Sequence, residues 1–191
     1  MPRPTPEQDT AQRILDIASR LVQTRGFNGF SYADIAEALE VTKASLHYHF
    51  PSKAELGRRL MERYEAAFLE ALKGIDAAGG GGRAKLKRYA RIYADVLRDN
   101  RMCLCGMLAS DYATLPKAMK EAVKHFFDGN EHWLSAVLEA GRSSGELEFK
   151  GSALEAARVI VGSLEGAMML ARSYGEPARF DSAAERLIAS F

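Results

Sequence analysis

Apolar residues recur at three- and four-residue spacing along nearly all of this 191-residue chain, and nowhere alternate with polar ones over the length of a strand. The first pattern marks amphipathic helices and the second half-buried strands, so the chain is confined to an all-α fold. Over residues 7–25 the stripe is Ala11, Ile14, Leu15, Ala18, Leu21 and Val22, with Gly26 where a C-terminal cap belongs. Before it, Pro2, Pro4 and Pro6 predict an extended arm. Two short helices follow. Ser31 caps the first, with Ile35, Ala36 and Leu39 facing inward; Thr42 caps the second, and Pro51 forces the chain out of helix at Phe50. Ser52 and Glu55 form a capping box for a long helix to about residue 73, with Leu56, Leu60, Tyr64, Phe68 and Leu72 on its apolar face.

The run Ala77-Ala78-Gly79-Gly80-Gly81-Gly82 reads as a loop, since each glycine costs a helix about 1 kcal/mol against alanine. Beyond it the pattern predicts helices near 83–98, 103–112, 116–143, 152–174 and 181–190. The expected organisation is an N-terminal three-helix helix-turn-helix domain over residues 1–52 and a larger helical domain over 53–191. With 47% hydrophobic and 27% charged residues, a packed core is available. The net charge of +1 neither demands nor excludes nucleic acid, so any such argument rests on where residues stand. The N-terminus has no signal-peptide pattern, no stretch reaches the roughly 18 apolar residues of a membrane span, and two cysteines one residue apart make no disulfide framework. The expectation is a soluble cytoplasmic protein without membrane contact.

Two short helices joined by a tight turn and braced by a third have the shape of a helix-turn-helix, whose second helix enters the major groove of double-stranded DNA. Lys43, Ala44 and His47 share one face of that helix. Lys43 can donate to guanine O6 or N7, Ala44 can touch a thymine methyl, and His47 can donate or accept at a base edge. Thr42, Ser45, Tyr48 and Lys53 offer donors or positive charge to phosphates. Spacing alone leaves open that these are plain solvated faces.

The segment from Phe30 to Leu56, above all Leu46-His47-Tyr48-His49-Phe50-Pro51-Ser52-Lys53, resembles the signature of the TetR family of transcriptional regulators. The preceding helix with its Arg25-Gly26-Phe27 ending fits as well. The resemblance covers residues 7–72 specifically and the remainder in general form. It implies that Lys43, Ala44 and His47 read bases while Tyr32, Ser45, Tyr48, His49 and Lys53 contact phosphates. It further implies a homodimer on a palindromic operator, repression, and release by a small-molecule effector bound in the second domain. The sequence departs from the family in two places: His47 stands where tyrosine is usual, and Glu40 where glycine is common at the turn. A non-glycine residue with positive φ there costs on the order of 1 kcal/mol.

The family implies dimerisation through the last two long helices. Ala153, Ala156, Ala157, Val161, Leu164, Gly166, Ala167 and Ala171, with Leu187, Ile188 and Phe191, supply small and apolar faces for it, although an intramolecular core helix fits the same pattern. Candidate effector-lining residues are Tyr89, Tyr93, Met107, Tyr112, Phe126, Phe127, Trp133, Met168 and Met169, each equally compatible with ordinary core. Cys103 and Cys105 raise a thiol-sensing alternative, although residues two apart on a helix diverge and an internal disulfide would need unwinding.

No cofactor or metal is expected. His47 and His49 diverge on their helix, and His125 and His132 lie two turns, roughly 10 Å, apart. The glycine run lacks the Gly-Lys-Ser/Thr ending of a phosphate loop, no Gly-x-Ser-x-Gly elbow is present, and Ser110-Asp111 has no evident histidine partner. An enzyme is therefore a distant alternative. A helical adaptor without DNA binding is a third, opposed by Thr42, Lys43, Tyr48 and Lys53.

Overall fold

The computed structural model describes residues 6–191, which form nine α-helices and one 3₁₀ turn, with no strand among the described residues. The chain order is α1 (Pro6–Arg25), α2 (Tyr32–Leu39), α3 (Lys43–His49), α4 (Lys53–Ala77), α5 (Gly82–Arg98), α6 (Leu104–Ser110), the 3₁₀ turn Tyr112–Thr114, α7 (Lys117–Ser143), α8 (Ala153–Tyr174) and α9 (Pro177–Ala189). Of the expected proline arm, Pro2 and Pro4 lie outside the described residues. Pro6 opens α1, where a first-turn proline has no intrahelical N–H to lose. The chain divides into two compact units: one runs to Ala66 and adds Leu104–Val123, the other comprises Ala67–Cys103 and Lys124–Phe191.

In the first unit α1, α2 and α3 close around Ile14, Ala18, Val22, Ile35, Leu46 and Phe50, all buried. Both short helices begin where the local chemistry places them. The Ser31 hydroxyl accepts from Ala33 N and its backbone N–H donates to Asp34, completing a capping box. Thr42 Oγ1 accepts from Ser45 N at 3.2 Å. Glu40 ends α2 in the left-handed region, φ 56° and ψ 40°, and its N–H bonds back to Ala36 and Glu37. The turn therefore keeps the shape that favours glycine, with a glutamate in it.

The stretch expected as one helix over 103–112 is broken. α6 stops at Ser110, and Asp111 turns its carboxylate onto the α1–α2 connection, accepting from Phe27 N at 2.7 Å and Asn28 N at 3.3 Å. Asn28 Nδ2 adds a bond to Thr114 Oγ1 at 2.7 Å. Gly26 stands at φ 83°, where an L side chain is strained, and a Cβ there would lie 2.9 Å from Asp111 Oδ2 and displace that carboxylate.

In the second unit α9 packs on α8 and α5. Its helix starts at Pro177, one turn before the sequence pattern suggested, because a first-turn proline precedes the apolar periodicity. α5 lacks a side-chain cap of its own, and Glu146 supplies one from afar, accepting from Gly82 N at 2.6 Å and Arg83 N at 3.2 Å. The approach needs the glycine run, since a Cβ on Gly81 would sit 1.9 Å from Glu146 Oε2. No helix among the described residues is long and apolar enough to cross a membrane.

Candidate DNA-binding face and sensor core

α3 is held by its buried Leu46 and by capping at both ends, which leaves Lys43, Ala44, His47 and Tyr48 exposed on its outer side. Tyr48 is 71% exposed. Its ring meets that of half-buried His49 at 5.2 Å. The end of α3 is tied off by two consecutive carbonyls. Tyr32 Oη donates to Phe50 O at 2.7 Å, and His47 Nδ1 bonds Pro51 O at 3.3 Å. The Tyr32 and His47 rings also pack at 4.8 Å. Burial, and secondarily Glu55, pushes the Tyr32 phenol up to about 12, so it remains a donor.

Lys53 behaves differently from a simple surface cation. Its ammonium donates to Phe27 O at 2.5 Å and to Phe30 O, and sits over both aromatic rings. Burial draws it below its usual value, opposed by Asp111 and Asp34. An ammonium has three donors, so one is left for an outside acceptor. Sequence reasoning missed the partners because Phe27 and Phe30 lie 26 and 23 residues away.

The candidate effector residues divide. Tyr89, Tyr93, Phe126, Trp133 and Met168 gather in the second unit. Tyr89 stacks with Trp133 at 5.7 Å and meets Tyr93 at 5.5 Å, while Phe68 stands edge-on to Tyr89, Tyr93 and Phe126. Phe127 is half-buried beside Phe126 at 5.5 Å. Met107 and Tyr112 belong to the first unit instead, half-buried, with Lys120 over the Tyr112 ring. Met169 turns outward at 55% exposure, because adjacent helical residues point about 100° apart and Met168 takes the inward position.

Two polar residues of this core, Asn130 and Glu165, were not among those candidates. Tyr89 Oη bonds Tyr93 Oη at 3.1 Å and Asn130 Oδ1 at 2.9 Å, and Asn130 Nδ2 donates to Phe126 O at 2.8 Å. Glu165 brings a carboxyl whose Oε1 is enclosed and has no hydrogen-bond partner. Burial, then the Cys103 thiol, push that carboxyl up to about 10, so it is protonated at neutral pH. Burial likewise raises Tyr89 and Tyr93. Cys103 and Cys105 are both buried and unlinked. Cys103 N donates to Met168 Sδ at 3.3 Å, and Cys105 Sγ lies 3.9 Å from Met61 Sδ.

On α8, Ala153, Ala156, Ala157, Val161, Leu164 and Ala171 are buried within this chain. The outward stripe is Val159, Gly162, Gly166, Met169, Leu170 and Tyr174, half-buried at Gly166 and exposed elsewhere.

A capped short helix, a left-handed turn and a second helix with an open polar face define a helix-turn-helix DNA-binding protein. The profile "Bacterial regulatory proteins, tetR family" matches residues 14–60, and "Tetracyclin repressor-like, C-terminal domain" matches residues 82–187. The chain belongs to the TetR family of bacterial transcriptional regulators. It is 28% identical over 170 residues to the HTH-type transcriptional repressor NemR of Escherichia coli K12, covering 87% of this chain and 85% of that protein. With the regulator AcrR of Shigella flexneri it shares 25% identity over 176 residues, covering 87% and 82%. Among solved structures, a TetR-family regulator from Agrobacterium tumefaciens superposes with a TM-score of 0.92 at 31% identity, covering 96% of this chain and 97% of that one. The reduced form of E. coli NemR superposes at 0.80 and 27%, covering 94% and 95%.

Proposed function

We propose that this regulator is a repressor that binds a palindromic operator as a homodimer and is released by a small, mostly apolar effector. Residues 1–52 do the DNA-binding work in this reading, and 53–191 the sensing and dimerisation. The observation that carries it is the outer face of α3, where a cation (Lys43), a methyl (Ala44) and an imidazole (His47) stand together and exposed. Those groups suit base edges. Thr42, Ser45, Tyr48, His49 and the remaining Lys53 donor surround them at positions suited to phosphates, whereas the Tyr32 hydroxyl, expected from the resemblance to contact a phosphate too, has given its one proton to Phe50 O and braces the turn instead.

A second copy of the chain is the partner that fits the outer stripe of α8. Val159 and Leu170 are 56% and 62% exposed, and a Cβ on Gly162 or Gly166 would meet nothing within 4 Å. Two copies would present two α3 helices about one DNA turn, roughly 34 Å, apart. The Tyr89–Tyr93–Asn130 and Glu165 cluster supports an effector site in the second unit: apolar walls with few polar anchors are what such sites need. Release then requires only that the effector bind the non-DNA-binding state more tightly.

The test is selection from a random-sequence DNA library across a salt series. A palindrome whose affinity falls steeply with salt is expected, with Leu170→Glu yielding monomers in sedimentation and losing it. Selection of no sequence, or of a single half-site by a monomer, contradicts the proposal. Lys43→Ala should change sequence preference, whereas Tyr48→Phe should weaken all sequences alike.

A second reading, thiol sensing through Cys103 or Cys105, must contend with the burial of both thiols and with the Glu165 carboxyl beside Cys103, neither of which favours the reactive thiolate. Peroxide would convert a thiol to a sulfenic acid with loss of water. Operator affinity unchanged after peroxide treatment eliminates it.

A further inference from the structure

The imidazole of His47 can present either a donor or an acceptor to DNA, and its surroundings choose between them. Nδ1 bonds the Pro51 carbonyl oxygen at 3.3 Å. A carbonyl oxygen only accepts, so the ring proton of the neutral imidazole resides on Nδ1 and Nε2 is left with a bare lone pair. Among the described residues no group bonds Nε2. Tyr32 holds the ring in place, its own ring 4.8 Å away and its hydroxyl anchored on Phe50 O at 2.7 Å. The two carbonyls that close α3 thus fix the Tyr32 phenol and the His47 tautomer side by side.

We infer that His47 offers Nε2 to DNA as an acceptor and reads an exocyclic amino group, adenine N6 or cytosine N4, instead of guanine. This rests on the reading of α3 as the helix that enters the major groove, where these amino groups are the donors on base edges. It assigns Lys43 and His47 opposite chemistries on one face. Lys43 can only donate, to guanine O6 or N7, and His47 accepts, so together they distinguish keto from amino edges four residues apart. Tyr32 and Pro51 act here as positioning residues for the imidazole.

The experiment uses the full chain and its selected operator. The base pair whose preference disappears in His47→Ala is located first. At that pair two chemical deletions are then made in synthetic DNA. One removes the exocyclic amino group, with purine in place of adenine or 2-pyrimidinone in place of cytosine. The other replaces the purine N7 by carbon. Wild-type protein is expected to lose roughly 2- to 10-fold in affinity on amino deletion, the range of one hydrogen bond, and nothing on N7 deletion. His47→Ala should be indifferent to both, and this comparison removes any effect of weakened base pairing. His47→Lys, a pure donor, should reverse the preference between amino and keto bases on the same strand. Loss on N7 deletion with tolerance of amino deletion overturns the inference. So does an operator in which no position depends on His47. Selection of no operator at all fails differently, since it removes the DNA-binding proposal itself.

Discussion

Asp111 is the residue on which the arrangement of the first unit should depend most sharply. Its carboxylate takes the otherwise unpaired N–H groups of Phe27 and Asn28, 2.7 and 3.3 Å away, at the end of α1. It also lies close enough to act on the Lys53 ammonium. A hydrogen bond to a charged group contributes about 1.5–3 kcal/mol net. The site is half-buried and the second bond is long, so Asp111→Ala should cost about 2 kcal/mol rather than twice that. Asp111→Asn keeps one acceptor oxygen for Phe27 N and loses only the charge, and should cost about 1 kcal/mol. Thr114→Val removes the exposed bond from Asn28 and should cost about 0.5 kcal/mol. The assay is urea unfolding followed by circular dichroism, with the free-energy change taken from the midpoint at unchanged slope. If Asp111→Ala unfolds within about 0.5 kcal/mol of wild type, or Asp111→Asn is as damaging as Ala, the carboxylate is not the clamp described.

Three other perturbations have determined directions. Glu40→Gly relieves a left-handed glutamate and should stabilise by up to about 1 kcal/mol, less the entropy that glycine adds to the unfolded chain; a loss of more than about 0.5 kcal/mol in thermal unfolding contradicts the turn geometry. Glu146→Ala strips the acceptor from Gly82 N and Arg83 N and should destabilise by about 1 kcal/mol, as loss of an N-terminal cap does, read from the same urea midpoint. Glu165 holds its proton up to about pH 10 in the folded chain and ordinarily loses it near 4.5 when unfolded. The folded state therefore binds more protons over that window, and stability falls as pH rises through it. Glu165→Gln should match wild type at pH 4 and become progressively the more stable of the two toward pH 9; a difference independent of pH refutes the burial of that carboxyl.

What could be read from the sequence was what neighbouring residues decide. Ser31 with Asp34, Thr42 with Ser45 and Pro51 after Phe50 set α2 and α3 through contacts a few residues long. Glu40 was marked by the family resemblance, which expects glycine there and left open whether the turn would differ; the turn keeps its left-handed residue. Long-range pairings were not visible. Asp111 meets Phe27 across 84 residues and Glu146 meets Gly82 across 64, and neither carboxylate belongs to a local motif. The phase of α8 was misjudged at Met169 because small residues lie on both sides of that helix, so composition could not separate the face that packs inside the chain from the one left open. Glu165, one step from Leu164 and Gly166, gave no signal of its enclosure for the same reason.

The tyrosine–asparagine chain in the second unit has a sense of direction. Asn130 must turn its amide nitrogen to the Phe126 carbonyl, so its oxygen faces Tyr89 and receives the Tyr89 proton. Tyr89 then has no proton left for Tyr93, and the 3.1 Å bond between them can only run from Tyr93 to Tyr89. The relay is a one-way wire that begins at Tyr93 with its proton already committed. Any polar atom that arrives at the Tyr93 oxygen from outside the chain must bring a proton of its own, whereas a bare carbonyl or carboxylate would meet only lone pairs.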